Sequence, residues 1–135
     1  MPSDAGVWFI QSRRLGYQPS CAQTPDAEEV QDVRFIDAHD FTADRPWGAR
    51  DMAAIDDATL RLHWTDSAYP WHVNDGPEVF VVLDGAVDMH YRQAGAEYVE
   101  HLVPGRICYC EPGDEHRAIP VPEARILVIE RRGSV

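Results

Sequence analysis

The stretch Trp71-His72-Val73-Asn74-Asp75-Gly76-Pro77-Glu78-Val79-Phe80-Val81-Val82-Leu83-Asp84-Gly85-Ala86-Val87-Asp88-Met89-His90-Tyr91-Arg92 holds the pattern from which the fold is read. Its last part alternates: Val87, Met89 and Tyr91 face one way and Asp88, His90 and Arg92 the other, the period of a half-buried antiparallel strand. Residues 79–83 are an unbroken apolar run, so that strand needs cover on both faces. Asp84-Gly85 and Asn74-Asp75-Gly76-Pro77 supply the positive-φ and fixed-φ residues that reverse a chain.

The same grammar extends in both directions. Strand-like segments recur at 33–36, 49–55, 58–64, 79–83, 86–92, 96–103, 106–110, 115–119 and 124–130, and turn residues such as Ala94-Gly95, Pro104-Gly105 and Pro112-Gly113-Asp114 separate nearly all of them. Leu60, Leu62 and Trp64 alternate with Thr59, Arg61 and His63 in a further half-buried strand. Many short strands at this spacing predict an all-β antiparallel barrel or jelly-roll, in which closure removes exposed edges. No long amphipathic helix and no internal repeat is visible. Residues 1–32 have no sustained period and read as an irregular arm, with the barrel over 33–135. The arm's one apolar patch, Val7, Trp8, Phe9 and Ile10, is expected to dock as an edge strand or on a partner chain.

A chain of 135 residues has room for one domain of ordinary size. Its 12 basic and 23 acidic residues sum to −11, which makes nucleic acid and anionic membrane poor partners. All 12 basic residues are Arg. Without Lys there is no Schiff-base nucleophile and no phosphate-cradling Walker loop. The apolar patch is too short for a signal peptide or membrane span, so the expected location is cytoplasmic. Of the three cysteines, Cys108 and Cys110 lie two apart on one strand face, where they read as small buried hydrophobes poorly placed to bridge; Cys21 lies in the arm. No Ser sits in a G-x-S-x-G elbow and Cys108 with His116 has no recognised nucleophile context, which disfavours covalent hydrolase chemistry.

Two clusters carry candidate chemistry. His72 and Asn74 project from one face of an extended segment, and the tight turn after them folds Glu78 back alongside. Imidazole, amide oxygen and carboxylate then converge. Gly105-Arg106-Ile107-Cys108-Tyr109-Cys110-Glu111-Pro112-Gly113-Asp114-Glu115-His116 delivers another imidazole at the start of the next strand. Two His and one carboxylate are the minimum facial metal set with open positions. The plainer readings stand beside it: Asn74 as a turn residue, the two His as a polar rim, and Glu78 as an Arg partner. Arg61, His63, His90 and Arg92 lie on polar strand faces, and an Arg on a face turned into the cavity would hold a carboxylate or phosphate bidentately.

At these residues the sequence resembles the cupin superfamily, whose motifs are G-x5-H-x-H-x3,4-E-x6-G and G-x5-P-x-G-x2-H-x3-N. His72, Glu78 and Gly85 match the first, and Gly105, Gly113 and His116 the second. Asp66 stands in place of the opening Gly, Asn74 of the second His, Glu111 of the Pro and Pro120 of the final Asn. The resemblance covers residues 60 to 130 or so and implies a double-stranded β-helix with a divalent transition metal (Fe, Mn, Ni or Zn) held by His72, Asn74, Glu78 and His116. It implies either a metal-dependent enzyme, of dioxygenase or sugar-isomerase type, acting on a small polar or anionic molecule, or a non-catalytic module that binds such a ligand. The absence of a helix-turn-helix excludes a cupin-type regulator of transcription. The doubly apolar strand 79–83 and the N-terminal patch together predict a homodimer.

Overall fold

The computed structural model describes residues 33–134. The expectations for residues 1–32, including the patch at 7–10 and Cys21, lie outside the described residues.

Among the described residues seven strands follow in order: β1 (Gly48–Ile55), β2 (Ala58–Thr65), β3 (His72–Val73), β4 (Glu78–Gln93), β5 (Ala96–Leu102), β6 (Ile107–Cys110) and β7 (Glu115–Arg131). They hydrogen-bond in the order β1-β2-β7-β4-β5, with β3 added to β7 and β6 to β4, and every ladder is antiparallel. The all-β antiparallel architecture expected from alternation is therefore the one observed.

The frame is the β4–β7 ribbon, which pairs from Glu78↔Glu130 to Arg92↔Glu115. Sequence reading splits each of these strands in two; the structure runs each as one. The reason lies at Asp84-Gly85, which makes an irregularity within the ladder in place of a chain reversal: register shifts fall between Val82 and Asp84 and between Gly85 and Val87. Gly85 has φ +72°, and a Cβ on it would stand 2.0 Å from the Glu123 carbonyl oxygen, so only glycine fits. The shifts also change which residues face inward. Glu78, Phe80 and Val82 are buried before the bulge, and Val87 and Met89 after it. Even positions give way to odd ones, which explains why two different periodic patterns are seen on either side of Gly85.

The core comprises Phe80, Val82, Val87, Met89, Leu102, Ala118, Ala124, Ile126 and Val128, drawn mainly from the facing sides of β4 and β7. Ahead of β1 a single 3-10 turn, Ala38–Asp40, is capped by Asp37, whose carboxylate accepts from the His39 N–H. Residues 33–36 form no strand: Val33 and Phe35 are 83% and 92% exposed, and no strand among the described residues pairs with them. In contrast β3, absent from the expected strands, forms because two residues find β7 beside them.

Candidate metal centre

The site begins with register. On the β3–β7 ladder His72 stands directly opposite His116, and the two rings meet edge to face with centroids 4.3 Å apart. Glu78 opens β4 opposite Glu130 of β7 on one side and Cys110 of β6 on the other. Along the ribbon Glu78 and His116 belong to opposite ends, yet His116 Nε2 lies 3.6 Å from Glu78 Oε1. Curvature of the sheet brings the ends together. One ligand atom from each of His72, Glu78 and His116 falls within 4.8 Å of the others, the one such cluster among the described residues. Two donors on a common ion at bond lengths near 2.1 Å stand about 3.0–3.5 Å apart at right or tetrahedral angles, so the His116–Glu78 spacing needs only a small side-chain adjustment.

The tautomer of His72 suits ligation. Its Nδ1 lies 3.1 Å from the Pro70 carbonyl, which can only accept, so Nδ1 carries the proton and Nε2 keeps its lone pair. An edge-to-face chain of rings, Trp47 to Tyr69 at 5.2 Å and Tyr69 to His72 at 4.9 Å, holds the imidazole from behind. His116 is 3% exposed and its Nδ1 is buried without a hydrogen-bond partner.

Asn74 enters the structure chiefly through its backbone. Its backbone ties the second motif's turn to the first, donating to the Asp114 carbonyl at 2.9 Å and accepting from the Gly113 N–H at 2.8 Å. That is the turn role. Its side chain, in a residue 4% exposed, leaves both amide atoms without a partner, although Asn74 does not line the cavity into which the two His and Glu78 open.

That cavity measures about 320 Å³, and Arg61, His63, Tyr69 and Glu130 share its wall with His72, Glu78 and His116. Arg61 and His63 thus do face the cavity, while His90 and Arg92 do not: His90 sits 3.6 Å from Glu97, and Arg92 stacks on Trp71 at 3.8 Å. Arg61 is steadied by Asp51, which accepts from Nε at 2.9 Å. Burial pulls His63 below its ordinary value against the opposing contact of Nδ1 with the Trp47 carbonyl. Burial pushes Glu78 upward, but His116, His72 and Glu130 outweigh it and leave the carboxyl below its usual range. Burial and the adjacent Glu78 push Glu130 up to about 7. Glu78 therefore has imidazoles and a carboxyl for neighbours where an Arg partner was the plain alternative.

Glu130 is the residue that sequence reading missed. The signal was present, since Ala124, Ile126, Val128 and Glu130 form one alternating face and a carboxylate continues an otherwise apolar, core-directed row. Tyr69 and Trp47 had no such signal, because both lie outside the strands and reach the site only through the folded chain. His39 and His101 have acidic partners in the structure, Asp84 at 3.0 Å and Asp88 at 2.6 Å, and neither lines the cavity.

A curved antiparallel sheet with a polar mouth, in which two His and one carboxylate from separate strands converge, defines the class. Among solved structures, a cupin-2 domain protein from Shewanella frigidimarina is 26% identical, with a TM-score of 0.60 over 67% of this chain and 85% of its own. A cupin superfamily protein from Desulfitobacterium hafniense is 14% identical, with a TM-score of 0.62 over 75% of this chain and 92% of its own. Hydroquinone 1,2-dioxygenase, solved in complex with Fe3+, shares the fold at 15% identity and a TM-score of 0.60, over 67% of this chain and 29% of its own. No family model and no curated protein sequence matches the chain. The described residues form a small cupin domain.

Proposed function

We propose that this protein holds a divalent transition metal through His72, Glu78 and His116 and binds a small anionic or hydroxylated molecule beside it, as a metal-dependent enzyme of the cupin type. The observation that carries the reading is the prepared donor set: His72 Nε2 left free by the Pro70 contact, facing a buried His116 and Glu78. A bound ion supplies a Lewis acid with open positions. With Glu78 as the one anionic ligand the centre stays at about +1, which attracts an anion at contact distance even in a chain of net charge −11. Arg61, in the same wall, presents guanidinium N–H groups to a carboxylate or phosphate, and Glu130 places a second carboxyl beside Glu78. Asn74, whose buried amide has no hydrogen-bond partner, would supply the fourth ligand of this reading through its oxygen.

A plain ligand-binding module is the second reading, favoured by the place of Asn74 outside the cavity lining, which leaves three protein donors there. Elemental analysis of metal-loaded protein is expected to find one transition metal per chain; none above background overturns the metal reading. Small carboxylates or sugars are expected to raise the melting temperature of the loaded protein and to have little effect on His72→Ala. Equal shifts in both proteins select the plain module.

We further propose a homodimer. Val79 and Val81 on the outward side of β4 are only half-buried and Leu83 is 41% exposed, so this face has apolar area left to cover. Light scattering is expected to return twice the 15.2 kDa chain mass.

A further inference from the structure

A second cavity, of about 300 Å³, shares only His116 with the first and is lined by Cys108, Cys110, Met89 and three carboxylates, Glu100, Asp114 and Glu115. The two sulfurs lie 3.7 Å apart on β6. That distance separates two chemistries. A disulfide requires the sulfurs at about 2.05 Å and Cα atoms no more than about 6.8 Å apart, and two residues of extended strand already span about 6.6–6.8 Å. Closing the bond would bend β6 away from its pairing of Phe80 with Cys108 and Glu78 with Cys110. Two thiolates on one tetrahedral ion, by contrast, with metal–sulfur bonds of about 2.3 Å, stand about 3.8 Å apart. The sulfurs already have the spacing of a chelate.

We infer that Cys108 and Cys110 form a bidentate site for a thiophilic divalent cation, distinct from the His72–Glu78–His116 centre. Charge supports it, because two thiolates balance a divalent ion and no third anionic ligand is required. The wall carboxylates have other partners: Glu100 pairs with Arg106 at 3.3 Å, Glu115 pairs with Arg92, and Asp114 accepts the Glu111 N–H at 2.8 Å. They lend negative potential without taking the sulfurs' place. Each thiol exchanges its proton for a bond to the ion, the protons pass to solvent, and the remaining coordination positions open into the cavity. Cys108 is half-buried and gives access, while Cys110 is buried and fixed by its strand.

Titration of the reduced, full-length protein with Cd2+ tests the site, because thiolate ligation adds an ultraviolet charge-transfer band that imidazole and carboxylate ligation do not. The expected result is a saturable band in the wild type that survives Cys21→Ser and His72→Ala and is lost in Cys108→Ser and Cys110→Ser. Should Cys110→Ser, at a buried position, fail to fold, Cys108→Ser carries the test by itself. A wild-type protein without the band, or a band that survives Cys108→Ser, overturns the inference. Loss of the band in His72→Ala also overturns it, by assigning the ion to the histidine centre.

Discussion

Two buried polar clusters lie on the β4–β7 ribbon, and they differ in how completely they are satisfied. At the bulge, Arg125 is 9% exposed and each of its three guanidinium nitrogens has a partner: Nε donates to the Phe41 carbonyl, Nη1 to Asp84 at 2.7 Å and to Glu123, and Nη2 to Thr42 at 3.0 Å. At the mouth, His116 and Asn74 are more deeply buried, yet His116 Nδ1 and both Asn74 amide atoms have no hydrogen-bond partner. Burying a polar group without a partner costs about 1–3 kcal/mol. A cluster whose buried nitrogens all have partners gains stability from its own contacts; one left short of partners gains from what it binds. The first fastens the segment before β1 to the bulge, and the second is the candidate metal centre.

The largest effect expected from this contrast is on stability. Arg125→Ala leaves Asp84 with the exposed His39 as its partner and breaks the clasp, and loss of one member of a buried pair costs about 3–5 kcal/mol. Because the Asp84 side chain is 25% exposed, water recovers part of this and the lower end, about 3 kcal/mol, is expected in denaturant melts. Metal content per folded chain should not change. His116→Ala should show the reverse: loss of a direct ligand exceeds the 10–100-fold effect typical of residues behind the ligands, so metal affinity measured by competition with a chelator falls by more than about 100-fold. Its melting midpoint without metal should fall less than that of Arg125→Ala, and a larger fall would mean that the mouth is as structural as the bulge.

Asn74→His sharpens the comparison within the mouth itself. Imidazole is a stronger donor than an amide oxygen for first-row ions, and a gain of about tenfold in metal affinity, near 1.4 kcal/mol, is expected from isothermal titration. An unchanged affinity would leave Asn74 with its backbone role in the turn at Gly113 and Asp114 and no other. The smallest effect is on pH dependence. Glu130 has its carboxyl raised to about 7 from an ordinary 4.5, so the folded state holds a proton there that the unfolded chain has released. Its contribution is fully present below 4.5 and is lost as pH rises from there through 7. Metal-free wild type should therefore lose melting temperature relative to Glu130→Gln across that window, with parallel curves refuting the assignment.

The strands and the candidate metal residues were legible to different depths. Alternation in residues 87–92 and 59–64 exposes the sheet because burial on one face is a local, period-two requirement that each strand meets by itself. His72, Glu78 and His116 stand out because their spacing around the turns at 74–77 and 112–114 is local too. Glu130 was visible as an interruption of an apolar row, but its meaning depends on Glu78 standing opposite it. The bulge was misread as a chain reversal because Asp-Gly serves both purposes, and the choice depends on Glu123 of β7, whose carbonyl oxygen would stand 2.0 Å from any Cβ at position 85.

By itself the sequence determined the antiparallel strands, the turns between most of them, the absence of lysine and the candidate set of His72, Glu78 and His116. These are properties of short segments, set by side-chain period and backbone dihedral preference. The tertiary structure alone decided that Glu78 and His116, at opposite ends of one ribbon, face each other at 3.6 Å, and that Arg61, His63 and Glu130 share their cavity. It also set Cys108 and Cys110 at 3.7 Å on the wall of a second cavity. Such meetings depend on sheet curvature summed over β4 and β7 and on two register shifts near Gly85. Curvature of that kind belongs to the paired sheet as a whole, so no single segment encodes it.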